Sequence, residues 1–286
     1  MELHKGKLKL AISPCPNDTF IFGAWLNGML SMQHSILPTP EVRFMDIQEL
    51  NSAASEVIYD VIKVSAAIAP TLLDNYRILP CGGALGDAVG PLLVSKEKID
   101  YQGLQQCTVA LPGKDTTATQ LFRFAFPRHV NIRHLVFNQI EDAILDGSTE
   151  AGVLIHEGRF TYESKGLSLI LDLGQYWSNQ TGLRIPLGLI MIKRELPDHI
   201  LSAVIKTIQD SIAFARQNDT MLMPFIKNHA SELSDDVIAK HIGLYVNEFS
   251  IELGTEGIKA CRKLFETAQP EVRISDQDFV STYINM

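Results

Sequence analysis

The stretch Leu8–Phe22, LKLAISPCPNDTFIF, constrains the fold more than any other part of the sequence. Its first residues, LKLAI, alternate large apolar side chains with lysine or alanine, which is the period of a β-strand. Pro14 and Pro16 follow, and a proline can neither donate to a strand ladder nor continue the interior of a helix. The strand must therefore end at these prolines, and the chain must turn.

The residues after the second proline are suited to begin a helix. Asn17, Asp18 or Thr19 can supply its N-cap. Such a turn directs unpaired backbone N–H groups and the positive end of a helix dipole at one point. In α/β proteins this point, beyond the carboxyl ends of the strands, is where ligands bind. We therefore expect these three residues and Ser13 to line a cleft; the alternative is an ordinary strand–helix loop.

Composition and charge exclude several classes of protein. The chain has 286 residues, of which 46% are hydrophobic, and its net charge of -8 offers no basic surface for nucleic acid. It contains no apolar run long enough to cross a membrane. Its beginning, MELHKGKLKLAISPCP, has lysines and prolines where a signal peptide needs a continuous apolar stretch. We therefore expect a protein that is neither exported nor bound to a membrane.

The cysteines point to a reducing compartment. They lie far apart in the chain, without a CxxC pair or the spacing of a metal site, so we expect free thiols and a cytoplasmic location. The four positions are Cys15, Cys81, Cys107 and Cys261.

Strand and helix patterns alternate over the first two thirds of the chain, which is typical of an α/β fold. A glycine-rich segment, Cys81–Gly90, separates two such series, and only helical patterns follow Pro197. The predicted strands are Leu8–Ile12, Val42–Ile47, Asp60–Ala67, Gly90–Lys96, Cys107–Leu111, Ile132–Phe137, Ala151–Ile155, Leu167–Leu173 and Ile185–Lys193.

This arrangement predicts two α/β lobes. The larger would contain residues 1–93 and 190–286, and the smaller would contain residues 94–189. Gly90–Lys96 and Ile185–Lys193 would be the two strands that cross between them. A single large doubly wound sheet is the alternative.

His156 is the strongest catalytic candidate among the eight histidines. The apolar residues AGVLI deliver it to the carboxyl end of a predicted strand, and imidazole suits proton transfer near neutral pH. The alternative is a histidine that only bonds a neighbouring loop. His134 lies within a strand pattern and is expected to be packed. The others fall in predicted loops or on polar helix faces: His4, His34, His129, His199, His229 and His241.

Two further segments carry polar residues at places where a ligand could bind. Lys63 and Ser65 lie in the buried run DVIKVSAA, where an ammonium must either reach solvent at the strand end or meet an anion. Thr116 and Thr117 begin a predicted helix, and they can hold an oxyanion or a carboxylate or serve as a plain N-cap. The sequence has no GxxxxGK[ST] or GxGxxG pattern before a helix, so no nucleotide cofactor is indicated.

Four segments together resemble one enzyme family. They are Ser13–Phe22 (SPCPNDTFIF), Lys63–Ser65 (KVS), Pro112–Ala118 (PGKDTTA) and Leu154–Gly158 (LIHEG). In this order they are similar to the 1,4-dihydroxy-6-naphthoate synthases of the futalosine route to menaquinone. The likeness covers most of the chain, and SPCPNDTF is its most specific part. It implies a fold like that of the type-2 periplasmic binding proteins, with two α/β lobes, a cleft and two crossing strands.

The resemblance also implies an activity. The family cleaves cyclic dehypoxanthinyl futalosine, a small anionic molecule, to 1,4-dihydroxy-6-naphthoate and dihydroxyacetone, and no metal or organic cofactor is expected. By correspondence, His156 matches the family's proposed proton acceptor. The segments that contact the substrate correspond to Lys63, Val64, Ser65, Thr116 and Thr117.

Two other functions remain open at the level of sequence. A protein of the same fold could bind or sense a solute without chemistry, and the chorismate dehydratase of the same pathway shares the fold. SPCPNDTF argues against the dehydratase. The oligomeric state is not indicated by any pattern.

Overall fold

A computed structural model describes residues 7–30, 37–87 and 89–281. His4 and His34 lie outside these residues. The strands are β1 (Lys9–Ile12), β2 (Glu41–Phe44), β3 (Val61–Ser65), β4 (Tyr76–Ile78), β5 (Ala84–Gly86), β6 (Leu92–Ser95), β7 (Val109–Pro112), β8 (Ile132–Leu135), β9 (Ala151–Leu154), β10 (Ser168–Asp172) and β11 (Ile185–Lys193). The helices are α1 (Pro16–Leu26), α2 (Ile47–Ser55), α3 (Tyr101–Leu104), α4 (Thr117–Ala125), α5 (Ile140–Leu145), α6 (Gly158–Thr161), α7 (Leu173–Thr181), α8 (Asp198–Gln217), α9 (Asp219–His229), α10 (Asp235–Tyr245), α11 (Glu248–Ile251) and α12 (Gly254–Ala268).

The strands form two separate mixed sheets. The first has the order β2-β1-β3-β11-β4, with β5 paired to β11, and the second has the order β10-β6-β9-β7-β8. In the first sheet β1 runs parallel to β2 and β3, whereas β11 is antiparallel to β3. In the second, β7 is parallel to β8 and β9, and β6 is antiparallel to β9. The alternative of one large doubly wound sheet is therefore wrong.

The structure places all nine predicted strands, with ends shifted by a few residues. It adds β4 and β5, which the sequence did not predict because three residues are too few to show a period. The segment β6 pairs only within the second sheet, and β11 pairs only within the first. The limits proposed for the two lobes, residues 1–93 with 190–286 and residues 94–189, stay a prediction.

The first helix begins earlier than expected. Pro16 occupies its first turn, where the missing N–H costs nothing, and Cys15 is the N-cap residue without a side-chain capping bond. The expectation that Asn17, Asp18 or Thr19 would cap this helix is therefore wrong. The Asp18 carboxylate instead bonds Ser13 before the helix and Lys63 on β3.

The long helix α8 shows why the C-terminal part of the chain belongs to the first sheet. Its apolar stripe, which includes Leu201, Val204, Ile208 and Ile212, is fully buried in a core shared with β1 and α1. Within the described ranges, no helix has the length and the apolar run that a bilayer crossing would require.

Two glycines bring the start of β6 against α7. A Cβ atom built on Gly90 would lie 2.2 Å from the Cα atom of Gly174, and one built on Gly174 would lie 2.5 Å from the Cα atom of Gly90. Because backbone atoms meet on both sides, neither position can accept a side chain unless the strand or the helix moves. Gly90 also lines the cavity described below.

We predict that Gly90→Ala lowers the free energy of unfolding by about 2 kcal/mol or more, because the added methyl group must displace the backbone of α7. Urea denaturation followed by circular dichroism measures the change. Gly243→Ala is the control, since that exposed glycine lies within α10 with no atom near its Cβ position, and alanine should add helix propensity there. Equal stability of the two variants would contradict the prediction.

Candidate active site

One cavity receives side chains from both sheets and from the helices that follow their strands. Its volume is about 710 Å³ with its open mouth included. Several strand ends and helix starts meet there, and they add polar and charged side chains to a largely apolar wall. The polar and charged residues that line it are Ser13, Asn17, Asp18, Lys63, Ser65, Thr116, Thr117, His156, Arg159, His241 and Tyr245.

A buried ion pair lies at the wall formed by the first sheet. Lys63 on β3 places its Nζ atom 2.7 Å from Oδ1 of Asp18, and both side chains are almost completely buried. The Asp18 carboxylate also accepts bonds from the Ser13 hydroxyl at 2.7 Å and from the Asn17 amide at 2.8 Å. Lys63 therefore neither reaches solvent nor needs a ligand anion, because Asp18 in the first turn of α1 supplies its counterion.

Gly188 leaves room for the Lys63 side chain. A Cβ atom at this position of β11 would lie 2.7 Å from Cε of Lys63. The lysine stem thus passes over the one residue of the neighbouring strand that leaves room for it. Arg159, the other cation of the cavity wall, pairs with Asp172 at 3.1 Å.

Asn17 connects the ion pair to α10. Its amide nitrogen donates to Asp18, so its Oδ1 atom is the acceptor for Nε2 of His241, which lies 3.0 Å away. His241 therefore carries its hydrogen on Nε2, and its buried Nδ1 has no hydrogen-bond partner among the described residues. Burial, with nearby His156 and Lys63, lowers the pKa of His241 to about 3. The ring is neutral at physiological pH.

His156 follows β9 and enters the cavity from the second sheet. Its φ angle is 56°, a left-handed conformation that is uncommon for a residue with a side chain. Nδ1 lies 3.3 Å from Sγ of Cys15, and the ring contacts Phe137 at 4.8 Å between centroids. It lies parallel to the His241 ring at 6.3 Å. Nε2 makes no hydrogen bond to any residue in the described part of the chain.

The surroundings of His156 favour its protonated form. Burial lowers the pKa of this imidazole, but the sulfur of Cys15 and the carboxylates of Glu157 and Asp18 outweigh that effect and raise the pKa to about 9. The two stacked histidines thus have opposite proton affinities. Only His156 can exchange a proton in the neutral and alkaline range.

The start of α4 forms the part of the cavity suited to an anion. Thr116 caps the helix, and its hydroxyl accepts from the backbone N–H of Thr119 at 3.2 Å. The Thr117 hydroxyl is committed as well, since it donates to Leu187 and accepts from the Ala67 backbone. The backbone N–H groups of Thr117 and Ala118 have no acceptor among the described residues. These N–H groups, rather than the threonine hydroxyls, are available to a ligand.

The structure brings most of the predicted site residues together. Ser13, Asn17, Asp18, Lys63, Ser65, Thr116, Thr117 and His156 all line the cavity. Ser65 is held by two hydrogen bonds to Asn51. Val64 and Thr19 do not line it: Val64 packs into the apolar core, and the Thr19 hydroxyl bonds backbone carbonyls of its own helix start.

Four residues at the site were not predicted from the sequence, and Arg159 of the cavity wall is one of them. His241 was expected on a polar helix face but is buried in the cavity wall, and Tyr245 lies one turn further along α10 with its ring 4.6 Å from it. Their spacing of four residues is the only sequence signal that placed them together. Cys15 was considered only as a free thiol. His134, expected to be packed, is exposed on β8.

Comparison with known proteins shows the family. Residues 8–270 match the family described as menaquinone biosynthesis. The chain belongs to this family. It is 40% identical over 270 residues to a 1,4-dihydroxy-6-naphthoate synthase of Streptomyces coelicolor, with 92% of this chain and 93% of that protein covered. A 1,4-dihydroxy-6-naphthoate synthase of Thermus thermophilus is 38% identical over 262 residues, with 92% and 94% covered.

Solved structures show the fold. A crystal structure of a protein from Archaeoglobus fulgidus matches with a TM-score of 0.87 and 33% identity, covering 94% of this chain and 99% of that one. The alkanesulfonate-binding protein of Xanthomonas axonopodis matches with a TM-score of 0.71 at 11% identity, covering 98% and 99%. The chain therefore has the two-lobed α/β fold of the periplasmic binding proteins, as the sequence predicted.

The buried ion pair yields an asymmetric prediction. Asp18→Asn leaves the Lys63 ammonium without a counterion, so we expect the free energy of unfolding to fall by about 3–5 kcal/mol. Lys63→Met should cost less, because the carboxylate keeps its bonds from Ser13 and Asn17. Lys240→Met, which removes an exposed pair with Asp236, is the control and should change stability by less than about 1 kcal/mol. Urea denaturation of the three variants measures the order, and the reverse order would contradict this account.

The low pKa of His241 predicts a loss of stability in acid. Since the folded pKa is about 3 and the unfolded pKa about 6.5, the unfolded state binds a proton that the folded state refuses. The contribution of neutral His241 to the free energy of unfolding is complete above pH 6.5 and is smaller by about 2 kcal/mol at pH 5. The stability difference between wild type and His241→Gln should therefore shrink by that amount between pH 7 and pH 5.

Proposed function

We propose that the protein is a carbon–carbon lyase that cleaves cyclic dehypoxanthinyl futalosine to 1,4-dihydroxy-6-naphthoate and dihydroxyacetone, with His156 as general base. The single observation that carries the mechanism is the placement of His156. Its ring is held at the cavity wall by contacts on Nδ1, while Nε2 has no partner among the described residues. The two relatives named 1,4-dihydroxy-6-naphthoate synthase support the reaction.

The substrate carries a carboxylate, hydroxyls and a carbonyl, and its cleavage forms an aromatic ring. Because aromatisation supplies driving force, the protein has to remove one proton and stabilise the oxygen on which charge develops. His156 takes the proton at Nε2. The electron pair of the broken carbon–carbon bond passes into the ring that becomes aromatic.

The N-terminus of α4 is suited to hold the substrate's anionic group. The free N–H groups of Thr117 and Ala118, together with the positive end of the helix dipole, favour a carboxylate there. Lys63 and Arg159 are already neutralised by Asp18 and Asp172, so they act mainly as part of the wall. We therefore assign the carboxylate to α4 and the reacting carbon to the side of His156.

Closure of the two lobes over the substrate would exclude water from the intermediate. We place the reaction in the cytoplasm, because all four cysteines are free thiols, as is usual in a reducing compartment.

Incubation of the purified protein with cyclic dehypoxanthinyl futalosine tests the reaction. We expect equal amounts of the naphthoate and of dihydroxyacetone on chromatography. His156→Asn should lower kcat by about 10²–10⁴, because the base is lost while the cavity keeps its shape. His134→Asn, a change of an exposed residue on β8, is the control and should retain wild-type turnover.

Two outcomes would contradict this function. Turnover of His156→Asn within a few-fold of wild type would remove His156 from the role of base. Binding of the substrate by the wild-type protein without product would leave only a binding protein of the same fold.

A further inference from the structure

The closest polar neighbour of His156 is a cysteine from the opposite sheet. Sγ of Cys15 lies 3.3 Å from Nδ1 of His156, within hydrogen-bond distance for sulfur. Cys15 immediately precedes α1, in the turn between Pro14 and Pro16 that ends β1. The contact thus joins the strand–helix turn of the first sheet to the end of β9 in the second. Neither the family resemblance nor the proposed reaction assigns a role to this sulfur.

The position of Cys15 is fixed by features other than the histidine. Its backbone carbonyl accepts the N–H and the hydroxyl of Thr19, and its own N–H donates to the Ser13 hydroxyl. Its side chain makes no capping bond, so the sulfur is free to face the imidazole.

We propose that Cys15 is the positioning residue of His156: its sulfur engages Nδ1 and leaves Nε2 as the nitrogen that exchanges a proton with the substrate. This inference rests on the role of His156 in the proposed function. Cys15 itself touches neither the substrate nor the reacting atoms. It acts as the carboxylate does in a histidine–carboxylate pair, by fixing the tautomer and the orientation of the ring.

Charges around the ring show why the sulfur is the decisive partner. The titratable groups that act on the ring or line the cavity beside it are Cys15 before α1, Asp18 from α1, Lys63 from β3, Glu157 from its own segment, Arg159 from α6, and His241 and Tyr245 from α10. Asp18 is neutralised by Lys63, and His241 is uncharged. Among the groups that raise the pKa of His156 to about 9, the Cys15 sulfur has the largest effect.

The proton balance follows from this arrangement. In the basic form, Nδ1 carries a hydrogen directed at the sulfur and Nε2 carries a lone pair. Nε2 takes the proton from the substrate, and the resulting imidazolium keeps both hydrogens while the sulfur stabilises its charge. The Nε2 proton leaves after product release, so the sulfur is neither oxidised nor bonded to carbon at any step.

Titration of the free protein tests the pairing independently of catalysis. In wild-type protein labelled with ¹³C and ¹⁵N in histidine, nuclear magnetic resonance should give a His156 pKa of about 9 and a hydrogen on Nδ1 above it. Cys15→Ala should bring this pKa to near the ordinary value of about 6.5, or lower, since burial remains and the sulfur is gone. Cys15→Ser keeps a hydrogen-bond partner in place of the sulfur, so its value should lie between the two. Cys107→Ala, which removes a distant thiol, is the control and should titrate like wild type.

The pH dependence of kcat/KM gives the second readout. The rising limb should move from near pH 9 in wild type to near pH 6.5 in Cys15→Ala. Because a weaker base transfers the proton more slowly, the plateau of Cys15→Ala should be lower by roughly tenfold or more, with the loss in kcat rather than KM. Cys15→Ser should recover part of it.

The two readouts separate the inference from the proposed function. If the His156 pKa is the same in wild type, Cys15→Ala and Cys15→Ser, the pairing is overturned, whatever the enzyme does. If the pKa moves as expected but the kinetic limb does not follow it, the pairing stands and His156 is not the base. A uniform loss of activity with an unchanged pH profile would make Cys15 a purely structural residue and overturn the positioning role.

Discussion

The ion pair between Asp18 and Lys63 is the interaction on which the site depends. Both side chains are removed from water, and each would be costly to bury alone, so the turn after β1 and the middle of β3 must be held in register. The same carboxylate fixes Ser13 and Asn17, and Asn17 in turn fixes His241. One buried charge thereby orders residues from β3, from the turn after β1 and from two helices. Most polar groups of this wall bond one another, and Nδ1 of His241 is the exception among those named here.

The bonds within this wall explain why the pKa values of His156 and His241 shift in opposite directions. His241 donates a hydrogen bond from Nε2 to Asn17, and burial together with His156 and Lys63 disfavours a second proton on its ring. His156 follows a strand of the other sheet and meets the Cys15 sulfur and the Asp18 carboxylate, besides its own neighbour Glu157. The two parallel rings therefore have different roles. His241 completes the hydrogen-bonded wall, whereas His156 keeps an Nε2 atom without a partner among the described residues.

Much of the fold could be predicted from the sequence because its causes are local. Prolines after LKLAI end β1, the β-branched run in β3 marks a buried strand, and the apolar stripe of α8 marks a helix on a core. The cavity residues near strand ends followed from the same logic, since a ligand site in an α/β fold lies at those ends. His156 could be chosen by its position alone.

The rest depended on contacts between distant segments, which no local pattern records. The charge of Asp18 looked like a helix cap because Lys63 lies 45 residues away in sequence. His241 looked like a surface residue because Asn17 is 224 residues distant. Cys15 gave no signal, since its importance arises from a histidine on another sheet. In each case the pairing partner, rather than the residue, determines the role.

The left-handed backbone at His156 has a consequence for how such a protein could change over time. A side chain at a φ angle of 56° carries a conformational penalty of about 1 kcal/mol or more, which glycine avoids and asparagine reduces. Replacement of His156 by glycine or asparagine would therefore abolish the chemistry while lowering this penalty. Selection for stability and selection for turnover therefore favour different residues at this position. A descendant that no longer needs the reaction should become a more stable, inactive binding protein.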